Sequence, residues 1–86
     1  MYRLRLSSRA QKDLDRLQGR AWERVRDALI GLRDDPRPHG GTKLRGGADT
    51  FRIRVGNYRV LYDVDDSRET ITVLRVRQRR DAYRGL

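Results

Sequence analysis

Thr50-Phe51-Arg52-Ile53-Arg54-Val55-Gly56-Asn57-Tyr58-Arg59-Val60-Leu61-Tyr62 is the stretch that decides how this chain folds. Two alternating runs flank Gly56-Asn57, a two-residue turn signal, so the stretch reads as a β-hairpin. With Val55 opposite Tyr58, Arg54 faces Arg59, Ile53 faces Val60 and Arg52 faces Leu61. One face then carries Phe51, Ile53, Val55, Tyr58, Val60 and Tyr62, and the other carries Arg52, Arg54 and Arg59. Like charges directly opposite one another destabilise a sheet. The Arg54–Arg59 pair therefore asks for a compensating polyanion, with nucleic acid as the natural candidate.

The rest of the chain is built around that hairpin. Eighty-six residues make one domain, 1–86, whose core is small. The net charge of +9 comes from 19 Arg and two Lys against 12 acidic residues. It is unevenly spread. Residues 43–59 hold five bases against Asp49, and residues 75–84 hold five against Asp81, a net of +4 each. The segment 63–69 is net −3. Such segregation is an electrostatic footprint for phosphate. There is no cysteine, and His39 is the single histidine, so a disulfide framework and a zinc site are not expected. No cofactor is expected. No apolar run approaches a membrane span or a signal segment, and a soluble cytoplasmic protein without membrane contact is expected.

Along the chain, Tyr2 to Leu6 alternates as a first strand. Ser8 followed by Gln11 is a capping-box pattern opening a helix, with Ala10, Leu14 and Leu17 as its stripe and Gly19 as its end. A second helix spans about Arg20 to Arg33, with Trp22, Val25, Leu29 and Leu32 at helical spacing and Pro36 as its stop. Residues 35–49 form a Pro- and Gly-rich loop. Its Gly40-Gly41-Thr42-Lys43 fails the spacing of a phosphate-binding loop. After the hairpin, Asp65-Asp66-Ser67 makes a turn and Thr70 to Val76 a last strand. Arg79 to Arg84 is a short C-terminal helix or tail. The order β-α-α-β-β-β predicts an α+β fold, an antiparallel sheet with two helices packed on one face.

Several blocks together resemble the RelE/ParE superfamily, the toxins of type II toxin–antitoxin pairs, on the RelE-like side. They are Leu32-Arg33-Asp34-Asp35-Pro36, Lys43-Leu44-Arg45-Gly46, Phe51 to Tyr62, and Val76-Arg77-Gln78-Arg79-Arg80-Asp81-Ala82-Tyr83-Arg84. The resemblance implies a microbial RNase-like fold and a ribosome-dependent endoribonuclease that cuts mRNA. It also implies a RelB-like antitoxin, with operator DNA bound only through the toxin–antitoxin complex. A ParE-like inhibitor of DNA gyrase, or a weakly active RNA-binding relative, is the alternative on the same fold.

Metal-independent RNA cleavage by 2′-OH attack needs a base, a stabiliser of the extra negative charge, and an acid for the departing 5′-oxygen. Guanidinium groups suit the second task through bidentate geometry and permanent charge. By resemblance, Arg59 binds the scissile phosphate, Arg79 stabilises charge or protonates the leaving group, and Tyr83 orients the substrate. Arg52 and Arg54 stand where relatives carry lysines, one of them a candidate base. Arginine does not lose its proton, so Arg52 and Arg54 hold phosphate and the base stays open among Tyr83, Tyr62 and solvent. Gln78 stands where many relatives carry a histidine. Lys43, Arg45, Arg77 and Arg80 are further RNA contacts. Tyr58, Tyr62 and Trp22 are expected in the core, and His39 is incidental.

Overall fold

A computed structural model of the protein describes residues 1–38, 41–44 and 49–78. Arg45, Arg79, Arg80, Tyr83, His39 and the expected C-terminal helix lie outside the described residues. The elements are β1 (Arg3–Leu6), α1 (Ser8–Asp15), α2 (Gly19–Asp34), β2 (Thr42–Lys43), β3 (Thr50–Val55), β4 (Tyr58–Asp65) and β5 (Thr70–Gln78). They form one five-stranded sheet in the order β1-β5-β4-β3-β2.

The hairpin forms in the expected register, Val55 with Tyr58 through Phe51 with Tyr62. Gly56 takes a φ of +59°, as the first position of a type II′ turn demands. The apolar face of the hairpin meets both helices. Val60, Tyr62, Ile71 and Val73 pack in one core with Ala10, Leu14, Val25, Leu29 and Leu32. Phe51 and Tyr62 stack across the strands at 5.9 Å between centroids.

The sheet is mixed rather than antiparallel. β1 runs parallel to β5, Arg3 with Thr70 through Leu6 with Val73. The α1–α2 excursion makes this possible, because a parallel pair needs a long crossover connection. A two-residue strand, β2, adds to the outer edge of β3.

Helix boundaries differ from the sequence reading for local reasons. Ser7, not Ser8, is the N-cap of α1, and its Oγ accepts from the Ala10 N–H at 3.0 Å. Gln11 therefore does not complete a capping box, and its side chain instead donates to Asp15. α1 stops at Asp15, and Gly19, with φ +58°, opens α2 rather than closing α1. Trp22 is 39% exposed, so the apolar stripe of α2 narrows to Val25, Leu29 and Leu32.

A polar clamp closes one end of the sheet. Arg37 donates to both carboxylate oxygens of Asp66 and stacks 5.3 Å from the centroid of Phe51. The Tyr2 hydroxyl donates to the same carboxylate. The chain leaving α2 is thereby tied to the β4–β5 turn.

Candidate functional site

Arg59 lies on β4, the central strand, on the sheet face opposite the helices. Register places it between Arg54 of β3 and Arg77 of β5. Three arginines thus form one row across three adjacent strands, where the hairpin alone accounted for two. Arg52 belongs to the next row, beside Leu61 and Arg75. Arg54 is exposed, Arg52 and Arg77 are half-buried, and Arg59 is only 2% exposed. Arg59 therefore lies deeper than either of the arginines beside it. The carboxylates of β4 and its turn, Asp63, Asp65 and Asp66, sit toward the other end of the strand, and Asp63 is engaged by Thr50. Among the described residues, Arg52 and Arg54 make no ion pair.

Not every sequence candidate joins this row. Lys43 pairs with Phe51. Cross-strand partners share a face, so Lys43 falls on the apolar side at the sheet edge and not among the arginines. Tyr62 is fully buried, and its hydroxyl donates to the Pro36 carbonyl at 2.9 Å. Burial pushes that phenol up to about 12, so it does not serve as a base near neutral pH. Arg79, Arg80, Tyr83 and Arg45 lie outside the described residues.

The structure also adds a pair that the sequence reading missed. Asp13 of α1 is buried against the free edge of β5, just past the point where β1 ends. Its carboxylate accepts from the Val76 N–H at 2.9 Å and from Arg75 Nε at 2.9 Å and Nη2 at 3.2 Å. Burial pushes the Asp13 carboxyl up, but these donors outweigh it and hold the group below its ordinary range. Asp13 fixes the stretch of β5 that follows a bulge opposite Leu61 and Tyr62 and that presents Arg77. A signal was available: position 13 falls on the core-facing stripe of α1, between Ala10 and Leu14, where an acid needs a buried partner.

Sequence and fold both agree with known proteins. Residues 4–83 match the family of the ParE toxin of the type II toxin–antitoxin system parDE. Toxin RelG of Mycobacterium tuberculosis is 38% identical over 84 residues, covering 96% of this chain and 97% of that one. The archaeal RelE–RelB complex from Pyrococcus horikoshii superposes with a TM-score of 0.81 at 29% identity, covering 91% of this chain and 94% of that chain. The isolated Escherichia coli RelE toxin gives 0.80 at 26% identity, with both chains fully covered. The chain belongs to the RelE/ParE superfamily of type II toxins.

Proposed function

We propose that this toxin is an endoribonuclease that cuts mRNA on the ribosome without a metal ion and is held in check by a RelB-like antitoxin. The row Arg54–Arg59–Arg77 carries the proposal. In-line attack by a 2′-OH places a second negative charge on the phosphoryl oxygens in the transition state. Fixed guanidiniums stabilise that charge and need no reorganisation as it develops. Arg59, buried at the centre of the row, takes the phosphate, and Arg54, with Arg52 on the next row, flanks it. Arg79 and Tyr83 follow β5 in sequence and complete the site as charge stabiliser and substrate-orienting group. With Tyr62 occupied in the core, the proton of the 2′-OH goes to Tyr83 or to solvent as the 2′-oxygen bonds to phosphorus. The bond from phosphorus to the 5′-oxygen breaks, and water supplies the proton that the departing 5′-oxygen takes up. RelE solved in complex with RelB supports the antitoxin. Ribosome and mRNA are the substrate assembly, and operator DNA is bound only through the antitoxin complex. The cytoplasm, where ribosomes are, is the compartment.

Primer extension on mRNA from a cell-free translation reaction tests this. Cuts within the open reading frame are expected with ribosomes, and none when ribosomes are omitted. Uncut mRNA in both conditions rejects the nuclease reading. The ParE family match favours a second reading, inhibition of DNA gyrase. Loss of gyrase supercoiling activity on adding the protein, with mRNA left intact, selects it.

A further inference from the structure

We infer that the cleft between the end of α1 and the free edge of β5 is a second RNA subsite, taking a nucleotide adjacent to the one on the arginine row. This rests on the nuclease reading and extends its substrate contacts. β1 ends opposite Val73, so among the described residues no strand lies on the outer side of β5 beyond that point. α1 covers only part of the gap, through Ser7 on the Leu74 carbonyl and Asp13 on the Val76 N–H. What remains is a cleft of about 290 Å³ lined by Asp13, Arg16, Tyr58, Arg75, Arg77 and Gln78 among others.

Three guanidiniums face one carboxylate in this lining, so the cleft favours an anion. Asp13 does not cancel that preference. It is buried and already holds two donors of Arg75 and a backbone N–H, which fixes the Arg75 plane and leaves Nη1 for a ligand. Tyr58 is half-buried and offers a ring on which a base stacks. The Gln78 amide offers both a donor and an acceptor to a base edge. Aromatic surface beside fixed guanidiniums is the chemistry of single-stranded RNA recognition. Arg77 belongs both to this cleft and to the row containing Arg59, so one strand of RNA can run from one to the other. An acidic peptide would use the same charges but would leave the Tyr58 ring and the Gln78 amide without a role.

Arg16 is exposed at the C-cap of α1 and is the residue to vary. Binding of non-cleavable 2′-O-methyl RNA is measured for a dinucleotide and a hexanucleotide. Arg16→Ala is expected to weaken the hexanucleotide by about tenfold, the lower end of what losing a hydrogen bond to a charged group costs, and to leave the dinucleotide unchanged. In the parent, the hexanucleotide is expected to shift the NMR signal of the Gln78 side-chain amide. Unchanged hexanucleotide affinity, equal loss for both lengths, or a silent Gln78 amide overturns the subsite. So does Arg16-dependent binding of a polyglutamate peptide without any effect on RNA. These readouts need no cleavage, so a parent that binds the hexanucleotide in this way but leaves ribosomal mRNA intact rejects the nuclease reading alone.

Discussion

Arg54 and Arg59 are neighbours in the sheet yet stand in different surroundings, exposed against 2% exposed. A group held in place by its surroundings stabilises developing charge better than one that must be ordered by the substrate. Arg59→Ala is therefore expected to lower kcat for ribosomal mRNA cleavage by about 10²–10³. Arg59→Lys should recover only part of it, because an ammonium keeps the charge and loses the fork. Arg54→Ala should mainly weaken substrate binding. Single-turnover cleavage with purified ribosomes separates the two effects. Equal losses of kcat for both alanine variants would mean that the row acts as a uniform patch. The residue scale also shows what sequence reveals about a site. Arginine alternation exposed Arg52, Arg54 and Arg59, because period-two spacing assigns a face without any knowledge of depth. The burial of Arg59 is not written in that alternation, and Arg77 enters the row only through the register of β5.

Elements were legible where a local rule fixed them. The Gly56-Asn57 turn and the alternation of Phe51 to Tyr62 set the hairpin register to the residue. The parallel pairing of β1, the bulge in β5 and the two-residue β2 are settled by contacts distant in sequence, so no local pattern announces them. Asp13 illustrates the cost of such contacts and carries a pH dependence. Its folded pKa is depressed below the ordinary 3.8. Its contribution is thus fully present above that value and is lost as pH falls through the lower folded one. Asp13→Asn is expected to cost about 3 kcal/mol at pH 7, as removal of one partner of a buried pair does. The difference from the parent should shrink below about pH 4. Urea unfolding followed by circular dichroism between pH 7 and pH 2 measures it, and a gap that stays constant through that range contradicts the assignment. At the β4–β5 turn, Glu69 holds a φ of +48°, in the left-handed region. Glu69→Gly should relieve about 1 kcal/mol of backbone strain and raise Tm by a few degrees in calorimetry.

Taken as a whole, the molecule separates its charges along the sheet. The hairpin tip and the last residues of β5 carry Arg54, Arg59 and Arg77, and the ends of α1 and α2 nearest to them add Arg16, Arg20 and Arg24 around Tyr58 and Gly56. The opposite end holds Asp49, Asp63, Asp65 and Asp66 around one surface depression. No helix among the described residues is long and apolar enough to cross a membrane. On the proposed nuclease reading, a basic end of this kind attracts RNA before any specific contact forms and orients it toward the arginine row. Its signature is counterion release, with log K falling by about 0.7 per phosphate contact for each unit of log salt on single strands. If Arg16, Arg52, Arg54, Arg59 and Arg77 each neutralise one phosphate, the slope for a 2′-O-methyl hexanucleotide should be about −3.5. Arg54→Ala should make it shallower by about 0.7, whereas Arg26→Ala should leave it unchanged, because Arg26 is exposed on α2 and already paired with Asp27. Fluorescence anisotropy across a salt series reads all three slopes. A slope that responds equally to Arg54→Ala and Arg26→Ala would mean that net charge, and not the arginine row, governs binding.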